Sequence, residues 1–279
     1  MKWLTYVANG RETFGCVIGD GVTDVGARSD FNSLKEAIAD GVLPELSAGI
    51  GENPDHSLSE IIYLPTITAP DKILCVGLNY KDHQEETGRG GEENPTIFVR
   101  FAAAQIGHGA AMVRPRESHA LDFEGEIAMI IGKPGRRIAK ESWLDHVAGF
   151  ACYNDGSVRD YQRHTSQFTP GKNFSGTGGF GPWMMTTDEV GDLDDMEITT
   201  RLNGEVMQNA KSDQLVFGFA ELIAYCSTFT ELVAGDVIVT GTPGGVGAAR
   251  TPPVFMDEGD VIEVEVRPIG VLRNQVIAE

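Results

Sequence analysis

Cysteine is scarce in this chain and unpatterned. The four residues Cys16, Cys75, Cys152 and Cys226 form no CxxC pair and sit in apolar surroundings such as ILCVG and FACYN. Such cysteines read as small buried hydrophobes, which removes zinc-thiolate and disulfide-scaffold readings. Positive charge is scarce too: 22 basic residues face 41 acidic ones, for a formal net charge of −19. Nucleic acid and anionic membrane surfaces would be repelled by that balance, and an anionic ligand would need a local positive site. No run approaches the roughly 20 apolar residues of a membrane span. The opening MKWLTYVANGRETFG has no apolar core of signal-peptide length. The expectation is a cytoplasmic protein. Internal repeats and low-complexity tracts are also missing.

What is present is a core-forming composition: 41% hydrophobic and 23% charged residues over 279 positions, enough for one large domain with an appendage or two modest ones. The first segment carries short strands punctuated by Gly and Asn turns. A helix follows in NSLKEAIADG, with Asn32 or Ser33 as cap, Leu34, Ala37 and Ile38 on one face, and Gly41 as stop. LPTITAPDK, with Pro65 and Pro70, reads as a linker. Residues 1–70 are therefore expected to form a small α+β domain, and 71–279 the catalytic one.

The remainder is dominated by strands: KILCVGLNY, TIFVRF, EIAMIIG, VAGFACYN, MEITTRLNGEVMQNA, DVIVTG and VIEVEVRPIGVLRNQVIA, with one clear helix in FGFAELIAYCSTF. Asn203-Gly204 between alternating segments signals a hairpin. Strands outnumber helices without βαβ regularity, so the predicted fold is β-rich α+β, a mixed sandwich-like roll. GTGGFG, 176–181, matches GxGxxG in form, but Pro182 follows and no good strand precedes it, so a dinucleotide fingerprint is not expected. GTPGGVG, 241–247, lacks the Gly-Lys-Ser/Thr ending of a phosphate loop. It reads either as a tight turn or as backbone approaching a small ligand, with Thr242 offering a hydroxyl and amide.

Chemistry concentrates in LDFEGEIAMIIG, Leu121 to Gly132. On a strand Asp122, Glu124, Glu126 and Ala128 share one side, and Phe123, Ile127 and Met129 share the other, which is expected to face the core. Side chains at i and i+2 lie about 6.5 to 7 Å apart, close enough for two glutamates to bend onto one cation. The alternative is a solvated polar face. The next strand ends in Asn154-Asp155-Gly156, adding a carboxylate at a neighbouring mouth. Three carboxylates without Cys or His favour Mg²⁺, Mn²⁺ or Ca²⁺ over zinc. In NYKDHQEE, His83 and Glu86 are three apart and share a face if helical; taken alone they also fit an exposed polar turn.

The succession VGLNYKDHQEE, FEGEIAMIIGK, YNDGSVRDYQ, GKNF with GFGPW, RLNGEVMQ and GDVIVTGTPGGVG, running in order from Lys72 to the C-terminus, closely resembles the fumarylacetoacetate hydrolase family. The resemblance implies that Glu124, Glu126 and Asp155 hold Mg²⁺ or Mn²⁺, with Asp122 outside the ligand set. It implies that His83 and Glu86 form a water-activating dyad on a lid, and that Lys172 stabilises an oxyanion. It further implies that Arg159 and Gln162 contact the substrate, as Thr242 is also expected to do. The small-molecule partner would be an anionic keto acid, and a homodimer is implied. The implied reaction is metal-dependent hydrolysis of the C–C bond of an acylpyruvate or related β-diketo acid to pyruvate and a carboxylic acid, in catabolism of aromatic or sugar-derived acids. The alternative is isomerisation or decarboxylation of an unsaturated or oxo dicarboxylic acid. Arg100 stands where Lys is frequent, and Leu78 where many members have Arg, so the family's binding of the distal part of the substrate is not carried over from position 78. Thr87 to Pro95 is expected to act as a lid.

Overall fold

The computed structural model describes residues 1–51 and 53–279. The β-rich expectation holds: two large sheets lie face to face, and nearly all their ladders are antiparallel. The larger has the order His56–Ser57, Gly21–Asp24, Arg11–Ile18, Lys2–Ala8, Gly178–Thr186, Val147–Asp155, Gly125–Ile131, Val237–Val239, Ile73–Gly77 and Thr96–Arg100. The second runs Glu205–Lys211, Glu197–Leu202, Val261–Arg267, Gly270–Ala278 and Met112–Arg114. Its hairpin turns at Asn203-Gly204, both at positive φ as the dipeptide demands.

Alternation along the strands builds the interior. Ile127, Met129, Phe150 and Cys152 of the large sheet pack against Ile198, Val264, Val266 and Leu272 of the second. The opposite face of the large sheet is covered as well: Ala128, Ile130 and Ala151 pack with Trp3, Phe14, Leu34 and Ile38 of the N-terminal segment. This corrects one expectation, that only the Phe123, Ile127 and Met129 side faces the core. Asp122, Glu124 and every residue of Gly125–Ile131, Glu126 included, are buried, so a solvated polar face is excluded for the acidic positions.

The helix Leu34–Ala39 forms as read, with Ser33 Oγ accepting from Glu36 N and Leu34, Ala37 and Ile38 buried. Residues 1–70 enter the large sheet through Lys2↔Met185 and Trp3↔Met184. The partner strand Gly178–Thr186 is one the sequence reading did not find. Its glycines and Pro182 argue against a central strand, and the ladder tolerates them through a register shift between Phe150 and Cys152 opposite Gly181 and Met185. All four cysteines are buried and free. Among the described residues no helix is long and apolar enough to cross a membrane.

Three neighbouring strands of the large sheet have ends that meet on one side. Val237–Val239 runs parallel to Ile73–Gly77, so the loops leaving both strands emerge side by side. Gly125–Ile131 is antiparallel to Val237–Val239 in the register Ala128↔Val239. That register brings Glu126, at the start of its strand, opposite Gly241.

Candidate active site

Glu124 and Glu126 flank Gly125, where a side chain has no room: a Cβ would lie 2.0 Å from Thr200 Oγ1. Asp155 arrives on the adjacent strand, its backbone N–H donating to Glu124 O at 2.8 Å. One carboxylate oxygen from each of Glu124, Glu126 and Asp155 lies within 4.8 Å of the others, and all three residues are buried.

Cations compensate this charge unevenly. Lys172 Nζ donates to Glu124 Oε2 and to Asp155 Oδ2, both at 2.6 Å. Arg159 donates from Nη1 to Glu124 Oε1 (2.6 Å) and from Nε to Asp122 Oδ2 (2.7 Å). Arg100 donates to Asp155 Oδ1 at 2.6 Å. Glu126 receives only the Gly241 N–H, at 2.5 Å, and no cation among the described residues. The titration follows. Burial alone would raise Glu124, but Lys172 and Arg159 beside it hold its carboxyl at about 2. Burial, then the charges of Asp155 and Glu124, push Glu126 well above the usual carboxylate range. Four buried carboxylates thus face three buried cations, and the one left without a partner lies in the triad. An all-oxygen set with an uncompensated acid fits a hard divalent ion such as Mg²⁺ or Mn²⁺.

The glycine-rich stretch 241–248 is a clamp for protein carboxylates. Gly241 N donates to Glu126, Gly245 N to both Glu86 oxygens at 3.1 Å, and Gly247 N and Ala248 N to Asp122 at 2.8 and 2.9 Å. Gly245 sits at φ 101°, and a Cβ there would meet Met207 O at 2.2 Å. Thr242 lines the cavity described below, but its hydroxyl is engaged within the protein: Oγ1 donates to Gly125 O (2.9 Å) and accepts from Gln208 Nε2 (2.7 Å). Gln208 Oε1 takes the Gly125 N–H at 3.0 Å, so this one buried amide ties the acidic strand to the clamp. Its place in RLNGEVMQ gave no sign of this, because the partners lie far away in sequence.

His83 and Glu86 fall on one short helix, Lys81–Thr87, with His83 Nδ1 3.1 Å from Glu86 Oε2. The helix is aimed by Asn79, fully buried. Its Nδ2 donates to Thr240 O (2.8 Å) and Phe217 O (3.0 Å), and its Oδ1 accepts from Phe217 N (2.8 Å). The preceding Leu78 takes φ 57°, a strained value for a bulky residue that makes the turn from strand to helix.

A cavity of about 650 Å³ is lined by His83, Glu86, Glu124, Glu126, Arg159, Gln162, Lys172 and Thr242. Eight of the nine residues expected at the site therefore line this one cavity. Asp155 alone does not line the cavity; it is fully buried and accepts from Lys172 Nζ. Arg159 Nη1 also donates to Gln162 Oε1 (2.9 Å), while its Nη2 is buried without a partner. Arg100 and the clamp glycines were not singled out for these contacts from sequence.

A β-rich sandwich with a buried carboxylate triad, a His–Glu pair and a lysine around one small-molecule cavity defines a class: proteins fitted for a divalent cation and a small anion. The particular family follows from comparison. The family described as fumarylacetoacetate (FAA) hydrolase, C-terminal, matches residues 72–277, and the chain belongs to it. The mitochondrial oxaloacetate tautomerase FAHD2A of Bos taurus is 42% identical over 221 residues, 78% of this chain and 70% of that protein. The oxaloacetate tautomerase YisK of Bacillus subtilis is 40% identical over 225 residues, 79% of this chain and 75% of that one. The maleylpyruvate hydrolase of Sphingobium sp. SYK-6, solved with manganese(II) and pyruvate, matches at TM-score 0.84 and 27% identity, covering 100% of this chain and 99% of that one.

Proposed function

We propose that this protein is a keto–enol isomerase of a short 2-oxo dicarboxylic acid of the oxaloacetate type, with Mg²⁺ or Mn²⁺ held by Glu124, Glu126 and Asp155. The observation that carries this reading is the His83–Glu86 pair opening on the same cavity as the carboxylate triad. The 40–42% identity to proteins named oxaloacetate tautomerase supports it.

When bound, the ion supplies positive charge against the oxygen charge that builds during enolisation. The protein supplies the rest. Glu86 on Nδ1 orients the His83 ring, leaving Nε2 to take a proton from C3 of the substrate. The C–H electron pair becomes the C2–C3 π bond, the carbonyl π pair moves onto the C2 oxygen, and the proton is returned there. Arg159 and Lys172 add fixed positive charge along that path. Gln162, bonded to Arg159, keeps the guanidinium turned to the cavity.

A second reading rests on the same pair: His83 deprotonates water for attack on the C4 carbonyl of an acylpyruvate, cleaving the C3–C4 bond to pyruvate and a carboxylic acid. Lys172 would then stabilise the oxyanion. The likeness to a maleylpyruvate hydrolase favours it.

The test follows the ultraviolet absorbance of the oxaloacetate enol after dilution, and in parallel pyruvate release from acetylpyruvate and fumarylpyruvate, with Mg²⁺, Mn²⁺ or chelator. Metal-dependent acceleration of enol decay without pyruvate supports the isomerase. Pyruvate from an acylpyruvate with no effect on oxaloacetate overturns it in favour of the hydrolase.

A further inference from the structure

Two arginines line the cavity without belonging to the machinery above. Arg89 follows the helix Lys81–Thr87 just beyond Gly88, and Arg163 closes the short helix Arg159–Gln162. Both are exposed. The chain has 14 arginines, and eleven of them donate to a carboxylate, carbonyl or other side chain. Only Arg89, Arg137 and Arg163 make no side-chain hydrogen bond or ion pair with a described residue, and two of these three share this cavity. In a protein at −19, where acids outnumber bases 41 to 22, unpaired guanidinium groups on two separate elements of one cavity are unlike the rest of the surface.

The deeper cations are already engaged. Lys172 and Arg159 lie on Glu124, Asp155 and Asp122. Leu78, Phe98, Phe168 and Val246 contribute apolar lining to the same cavity. The cavity therefore combines buried acids, apolar side chains and two exposed, unpaired guanidinium groups. A planar guanidinium fork matches a carboxylate, and a cleft concentrates the attraction.

We propose that Arg89 and Arg163 bind the second, distal carboxylate of the substrate and so set a preference for 2-oxo dicarboxylates over 2-oxo monocarboxylates. The inference rests on the isomerase reading for which end of the substrate lies at the triad, and it assigns the other end. Arg89 approaches from beyond the helix that carries His83, and Arg163 from the end of the helix that carries Arg159 and Gln162.

The experiment is calorimetric titration of the full-length, Mg²⁺-loaded protein with malate and with lactate. These are stable 2-hydroxy acids with the same chelating end, of which only malate carries a distal carboxylate. The proteins are the parent, R89Q, R163Q and the double variant. The parent is expected to bind malate more tightly than lactate. Each substitution should weaken malate by about fivefold or more, with lactate unchanged within about twofold, and the double variant should lose the discrimination. Higher ionic strength should shrink the preference in the parent and leave the double variant flat. Equal loss for both ligands, or no loss for either, overturns the assignment, as does a parent that does not discriminate. Failure of the reaction assignment is distinguishable: malate would still be preferred through the two arginines while oxaloacetate is not enolised.

Discussion

Lys172 holds its ammonium 2.6 Å from Asp155 Oδ2 while donating at the same distance to Glu124 Oε2, bridging two of the three acids that can share a cation. Burial works against the charge on Lys172, and Asp155 and Glu124 more than offset it, so its pKa is raised. Lys172→Met removes the charge and keeps the bulk. Breaking a buried pair from one side costs about 3–5 kcal/mol, so the metal-free variant is expected to melt well below the parent. Mg²⁺ or Mn²⁺ should restore more of that loss than it adds to the parent. Thermal denaturation with and without metal checks this, and equal midpoints without metal would count against the pair.

Metal binding should stabilise the fold more at high pH than at low pH. Glu126 has a folded pKa raised by burial and by its acidic neighbours. Its contribution to metal-free stability is therefore complete below the unfolded value near 4.5 and is lost as pH rises through the raised value. A cation relieves that loss once the proton has left. Thermal midpoints measured across this range with saturating Mg²⁺ and with chelator give the comparison, and a shift independent of pH would refute it.

His83→Ala should lower kcat by about 10² to 10⁴ if the ring moves the proton. Glu86→Gln should cost less, because the amide oxygen still accepts from Nδ1–H but carries no charge. The pair is held by contacts outside itself, so circular dichroism should show both variants folded. A His83→Ala enzyme with undiminished kcat would remove the residue from the chemistry.

Gly245→Ala tests the carboxylate clamp without touching a charged group. The residue lies at φ 101°, and its new Cβ would meet Met207 O at 2.2 Å. The backbone must shift, at a cost of order 1–3 kcal/mol, and Glu86 loses the N–H that fixes it. The expected result is a drop in kcat larger than the change in metal affinity, read by steady-state kinetics and metal titration. The reverse pattern would mean that the loop serves the ion and not the dyad.

Local signals in the chain were readable where the physics is local. Ser33 caps its helix because a hydroxyl three residues before a backbone N–H can reach it. His83 and Glu86 share a face because they are three apart on a helix. The two-residue spacing of Glu124 and Glu126 pointed to a shared cation, and the two do converge with Asp155, although the strand starts at Gly125 and Glu124 precedes it. Gly178–Thr186 was not readable: its glycines and Pro182 lower intrinsic strand preference, and flanking strands impose the conformation from both sides. The burial of the acids was equally hidden, because the groups that surround them, Arg159, Lys172 and the stretch 241–248, are distant in sequence.

The sequence by itself determined the chemistry on offer: an oxygen-only donor set, an imidazole with a carboxylate one helical turn away, and a net charge that forces anion binding into a local site. Tertiary structure decided which of these groups meet. Glu126 and Gly241 are 115 positions apart and Glu86 and Gly245 are 159, and each pair forms because strand register brings their loops to one side of the sheet. The ranking of the acids was decided there too. Lys172, Arg159 and Arg100 reach Glu124, Asp122 and Asp155 but not Glu126, and in a buried setting the carboxylate without a cation is the one left to a metal.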